Sequence, residues 1–300
     1  MSKILFLWDF QRISRHGTDW TGIEGRNFEW LLNKAEITDS TSVYLWPNGD
    51  AAKENELLGT SAWPSLLKEH KEQGGTVVVL FGALICREVL GHTKFKGVRG
   101  TVFEHDGLKV IVTYHPDNVM QDWSSRQFIL MDMLKAKRES GFAGLKRIAR
   151  KVYWVESVAD AEQHLRVIKS LDAPVLATDV ETKHNQITSA AIAHSPEEVF
   201  VYTFRNKENR HYWSAQDEAK VKLILKEILE TPGTRHVFHN ASYDLAYLLR
   251  EGIYPVGDIH DTMLMSHSTQ PEWPKSLGFL ASLHTNEVAW KPLNSFNKEK

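Results

Sequence analysis

The sequence has 300 residues, 42% of them hydrophobic and 25% charged, with a formal net charge of −2. That is the profile of a globular protein long enough for two cores, and it excludes one that coats duplex nucleic acid through bulk positive charge. No apolar run approaches the roughly 20 residues of a membrane-spanning helix, and Met1 to Asp9 is too brief for a secretory leader, so a cytoplasmic protein without membrane association is expected. The single cysteine, Cys86, excludes disulfides and a cysteine-built zinc site. Charge is uneven: residues 1–150 carry 20 Lys+Arg against 18 Asp+Glu, and residues 151–300 carry 16 against 20.

In chain order, Trp20 to Ile37 reads as a glycine-bearing loop, with Gly22 and Gly25, running into an amphipathic helix. A second helix is predicted over Trp63 to Gln73, stopped by Gly74-Gly75. The apolar strand Thr76 to Phe81 and a short helix to Leu90 follow. Gly97 to Gly100 and Asp106-Gly107 bracket a hairpin of Thr101 to Glu104 with Lys109 to Thr113. Tyr114-His115-Pro116 breaks it, and Ser124 to Arg138 is helical. Strands alternating with helices imply an α/β sandwich.

These segments carry a resemblance. Gly22-Ile23-Glu24-Gly25-Arg26, the strand ending Leu80-Phe81-Gly82-Ala83, the Arg99-Gly100 hairpin and Thr113-Tyr114-His115-Pro116 fall in an order similar to the uracil-DNA glycosylase superfamily. The resemblance implies a three-layer sandwich over 1–138, with Asp9 and His115 at the positions of its degenerate catalytic site. The glycines and proline that shape the family's water-positioning loop are replaced by Trp8-Asp9-Phe10-Gln11-Arg12, so a non-catalytic domain is expected. Lys135 to Lys151, with seven basic residues, one acid and two glycines, reads as a helix tail and basic linker over 139–151. Its two readings are a solvated helix end and a phosphate contact.

In the second half, Val152 to Val155 reads as a strand and Ser157 as the N-cap of a helix to Ser170. Val175-Leu176-Ala177-Thr178-Asp179-Val180-Glu181 is then a buried strand ending in two carboxylates one residue apart. Side chains at i and i+2 of a strand share a face, so Asp179 and Glu181 project side by side. Two neighbouring anions there are tolerable mainly around a cation, although an isolated Asp-x-Glu is more often a solvated strand end. Gln186 to His194 and Val199 to Phe204 continue an antiparallel meander. Ser214 starts a helix stopped by Pro232-Gly233, Arg235 to His239 is a strand, and Asn240-Ala241-Ser242-Tyr243-Asp244 opens a helix to Arg250.

Asp-x-Glu on the first strand of the meander, followed by Asn-x-x-Tyr-Asp on a later helix, resembles the proofreading 3′→5′ exonucleases with four essential acids, in particular the exonuclease domain of family A DNA polymerases. His260 to His267, Lys275 to Ala281 and Trp290-Lys291 extend the likeness. It implies a ribonuclease H-like mixed-sheet domain over 152–300, hydrolysing a single-stranded DNA 3′ end with Mg²⁺ or Mn²⁺ in a two-metal site. In that scheme Asp179 bridges both ions, Glu181 holds the one that activates water and Asp244 anchors the second. Thr182, Asn240 and Tyr243 contact the strand, and a polymerase domain in cis is the partner.

The family's fourth acid comes with a Tyr or His on a later helix. Tyr254-Pro255-Val256-Gly257-Asp258 has the letters but contains Pro and Gly, and His239 to Asp244 reuses the second motif's own aspartate. The true counterpart is expected beyond Trp290-Lys291, and the sequence ends at Lys300, so the domain is expected to be C-terminally incomplete with reduced activity. The alternative is a catalytically degraded module that binds single-stranded DNA or a replication partner.

Overall fold

The first strand of the computed structural model, β1 (Ile4–Asp9), is apolar on both faces, and it lies inside a sheet. The structure describes residues 3–9, 23–46, 58–59, 62–92, 94–116 and 118–287. The chain divides into two compact units, one formed by Met1–Arg147 with Ser276–Lys300 and the other by Ile148–Lys275.

In the first unit β1 is followed by α1 (Ile23–Ala35), β2 (Ser40–Trp46), β3 (Leu58–Gly59), α2 (Trp63–Glu72), β4 (Val77–Phe81), α3 (Ala83–Leu90) and α4 (Phe95–Val98). Then come β5 (Val102–His105), β6 (Leu108–Thr113), α5 (Asn118–Gln121) and α6 (Ser125–Ser140). The sheet order is β3-β2-β1-β4-β6-β5, parallel except for the β5–β6 hairpin. Ile4, Phe6 and Trp8 pack with α1 and α6 through Phe28, Leu31 and Ile129. Leu5 and Leu7 pack the other way, against Leu67 of α2 and Ile85 and Cys86 of α3. Helices on both faces explain why β1 and β4 read as unbroken apolar runs, and they make the expected three layers.

The second unit holds β7 (Lys151–Val155), α7 (Val158–Ser170), β8 (Val175–Lys183), β9 (Gln186–Ala193), β10 (Glu198–Thr203) and α8 (Ala215–Leu229). It continues with β11 (Thr234–Phe238), α9 (Ala241–Arg250), β12 (Gly257–Asp261) and α10 (Thr262–Thr269). Its sheet is mixed, in the order β12-β11-β8-β9-β10-β7, and only the pairings of β9 are antiparallel. The predicted meander is therefore β8-β9-β10. Ser157 caps α7 in a reciprocal box with Asp160, and Ser214 caps α8. Leu176 and Val180 of β8, Ile192 of β9 and Tyr202 of β10 form one core with α7, α8 and α9. Inside it His164 hydrogen-bonds the Tyr202 hydroxyl at 2.6 Å and stacks on Phe200. Burial, with His194 adding to it, pushes the His164 imidazole down to about 3, so it is a neutral core residue.

The helix α11 (Leu277–His284) lies beyond α10 in sequence and packs within the first unit, so the second unit closes at Lys275 and not at 300 as expected. The polar contacts that hold it there, from Arg99 and Lys135, join residues up to 183 positions apart. The expected linker also differs in part. α6 runs on to Ser140, and Lys135 is buried with its ammonium on backbone carbonyls, so it has no free charge for a phosphate. Among the described residues no helix is long and apolar enough to cross a membrane.

Candidate active site

β8 alternates as its sequence predicts. Leu176, Thr178 and Val180 are buried, while Ala177, Asp179 and Glu181 are exposed on the opposite face. Its edge toward β9 is paired from Ala177 to Lys183, but its edge toward β11 is paired only over Val175 to Ala177. The strands part there, and the Val180 N–H donates to Asp244 Oδ1 at 2.9 Å. Asp244 therefore fills a ladder position that no strand takes. The crevice lies toward the carboxyl ends of parallel strands, where open α/β sheets commonly bind ligands.

Asp244 stands in the first turn of α9 and is 3% exposed. Burial pushes its carboxyl up to about 6; the Val180 N–H opposes the shift, and the nearby Asp179 and Asp261 carboxylates add to it. The two aspartates predicted from distant motifs are thus electrostatic neighbours. Glu181 shares the exposed face of β8 with Asp179. The β8–β9 pairing shifts register between Glu181 and Thr182, and Thr188 Oγ1 donates to the Glu181 carbonyl at 3.0 Å. Such a bulge re-aims the side chains beside it. His184 and Asn185 both have positive φ, 49° and 64°, as a two-residue type I′ hairpin turn requires. Asn185 Oδ1 accepts from Arg250 at 3.0 Å, tying the hairpin to the end of α9.

Thr182 and Tyr243 are joined by a bond between their hydroxyls. Tyr243 is 45% exposed, with Tyr247 at 5.1 Å between ring centroids. The third predicted strand contact, Asn240, has an exposed side chain and a left-handed backbone at φ 70°. That turn is held by a residue to which the sequence pattern assigns no role. Asp261, at the end of β12, accepts from the N–H groups of Asn240 at 3.0 Å and Ala241 at 2.9 Å, and from Met263 at 2.8 Å at the start of α10. Burial acts to raise its carboxyl, but these N–H groups and that of Leu264 outweigh burial and hold it below the usual range. The available signal was an Asp directly before Thr-Met-Leu, a helix-cap pattern.

The donor chemistry suits a hard divalent cation. The carboxylates of Asp179, Glu181 and Asp244 supply only oxygen ligands. Among the described residues, no three His, Cys, Asp or Glu side chains converge as a ready-made metal cluster. The arrangement is two neighbouring aspartates, with Glu181 on the same face of β8 as Asp179. Of the other predicted positions, His115 follows β6 and packs edge-on against Trp8 at 5.6 Å, and Asp9 ends β1 with its side chain outside the described residues. Tyr254 to Val256 is loop and Asp258 lies on β12, so that string is not helical.

Residues 155–292 match the family model described as 3′-5′ exonuclease. The matched segment thus contains all three acids and both hydroxyl partners. Solved structures similar to this chain include the EXD2 exonuclease domain soaked in Mn and Mg, at 19% identity and TM-score 0.31, covering 41% of this chain and 61% of that one. Escherichia coli RNase D, an exoribonuclease involved in structured RNA processing, is 17% identical with TM-score 0.32, covering 45% of this chain and 32% of that one. The chain therefore spans less than two thirds of either. No curated protein sequence matches it.

Proposed function

We propose that this protein is a divalent-metal-dependent 3′→5′ exonuclease acting on a single-stranded DNA end, with Asp179, Glu181 and Asp244 as its acids. The observation that carries the reading is the electrostatic pairing of Asp179 with the buried Asp244 inside the segment that matches the exonuclease family. Mg²⁺ or Mn²⁺, held by these three carboxylates, would neutralise phosphate charge and activate water. The chain's own residues do the rest. The bond from Val180 fixes Asp244, and the Asp261 clamp fixes the turn that presents Asn240 and Tyr243. Tyr243, oriented by Thr182, offers an exposed ring on which a terminal base stacks without sequence preference.

The same reading takes a family A polymerase domain in cis as the partner, supported by the His260 to His267 and Lys275 to Ala281 segments. It leaves the glycosylase-like first unit non-catalytic. The test is a time course on 5′-labelled DNA and RNA single strands with added metal or with excess chelator. Stepwise shortening from the 3′ end, faster on DNA and abolished by chelator, is expected. Digestion that persists in chelator, or an internal cut pattern, would overturn the assignment.

A further inference from the structure

The first unit contains a group of buried charges that the proposed chemistry does not use. Arg99, Asp132, Lys135 and Glu139 are each at most 3% exposed. Asp132 accepts from Arg99 at 2.9 Å and from Thr113 at 2.7 Å, which accounts for one carboxylate and part of one guanidinium. Several of the other donors are aimed at α11 and the residue just after it. Arg99 donates to Ser282 Oγ at 2.6 Å, and Lys135 donates to the carbonyls of Ser282 and Thr285, the latter at 2.9 Å, as well as to Gly100. Asn286 donates to Glu139 at 2.8 Å, and the Asn286 carbonyl accepts from Arg147 at 3.1 Å.

Two features make this a fitted seat and not incidental burial. The last carbonyls of a helix have no partner inside it and carry the negative end of its dipole, so a buried ammonium aimed at them is complementary in charge and in hydrogen bonding. The guanidinium of Arg99 also lies 4.8 Å from the Phe279 ring, which meets Phe128 edge-on at 5.0 Å. Without α11, Arg99 and Lys135 lose three acceptors at the bottom of the seat, the costly case for a buried charge. Gly100 marks how close the approach is: at φ 74°, a Cβ there would stand 2.9 Å from the Ser282 carbonyl.

We infer that the first unit is a docking module whose partner is this chain's own segment 276–287, and that it thereby anchors the end of the exonuclease-family segment. Residues 276–287 lie inside that family match yet fold with residues 1–147. The chain leaves the first unit after Arg147 and returns to it at Ser276, so the second unit is tethered at both ends. The first unit then acts as an anchor for the segment and needs no glycosylase chemistry to account for its presence.

Hydrogen exchange on the full chain tests this independently of nuclease activity. Phe279→Ala alters α11 without touching a strand, and Lys135→Met removes the ammonium from the receptor side. Both are expected to speed exchange of the 277–287 amides at least about tenfold while β1, β4 and β6 stay protected. Unchanged exchange across 277–287 in Phe279→Ala would overturn the inference. If Lys135→Met exposes the strands as well, the Phe279→Ala result decides by the same criterion.

Discussion

A carboxyl buried beside two other carboxylates is the most informative residue in this molecule. Asp244 has its proton affinity raised from the usual aspartate range to about 6, with burial the largest cause. A carboxyl whose folded pKa exceeds its unfolded value adds stability that is complete below the unfolded value and is lost as pH rises through the folded one. Here the window runs from 3.8 to about 6. In metal-free buffer the wild type should therefore lose stability across that window, and Asp244→Asn, which keeps an oxygen for the Val180 N–H, should flatten the loss. At pH 7 the variant should melt a few degrees higher, on the order of 1 kcal/mol once solvent screening is allowed for, while losing nuclease activity. Thermal melts of both proteins from pH 3.5 to 8 check this; parallel profiles would contradict it. The places of Asp179 and Glu181 on one strand face and of Asp244 in the first turn of a helix were legible in the sequence pattern. Their environment was not, because the opening between β8 and β11 depends on where a ladder stops.

At the scale of elements, the turn from β11 into α9 depends on Asp261 more than on any helix-forming propensity. Its carboxylate takes N–H groups from Asn240, Ala241 and Met263, joining two helix starts and the end of β12. Asp261→Ala leaves those groups without their acceptor and should cost about 2–4 kcal/mol in denaturant unfolding. A loss below about 0.5 kcal/mol would show that the clamp is dispensable. The meander, α7, α8 and α9 were readable from period and caps, since Ser157 and Ser214 sit where the helices begin. β12 was not. Gly-Asp-Ile-His-Asp has no apolar run, because an edge strand pairs on one side only, here with β11. Gly257 is nonetheless fixed by packing: at φ 121° its Cβ would fall 2.0 Å from the Thr234 carbonyl. β2 was missed for a related reason, as Ser40-Thr41-Ser42 gives it a polar start.

For the molecule as a whole, the passage out of the first unit lies in the glycine-bearing basic stretch that the sequence marked, and the return at Ser276 gave no such sign. Arg99 and Ser282 are far apart in sequence, and nothing local to either reports that they meet. Composition and periodicity describe neighbours along the chain; a buried charge network describes neighbours in space. The catalytic reading is likewise a statement about distance, since it requires that Asp179 on β8 and Asp244 on α9 act as one centre. Single-turnover hydrolysis of a 5′-labelled DNA strand by Asp179→Ala, Asp244→Ala and the double variant tests that most directly. Groups acting as a unit give non-additive losses, so each single variant should fall by about 10³-fold or more and the double variant scarcely further. Undiminished 3′ shortening in either single variant, or losses that multiply in the double, would contradict the shared centre.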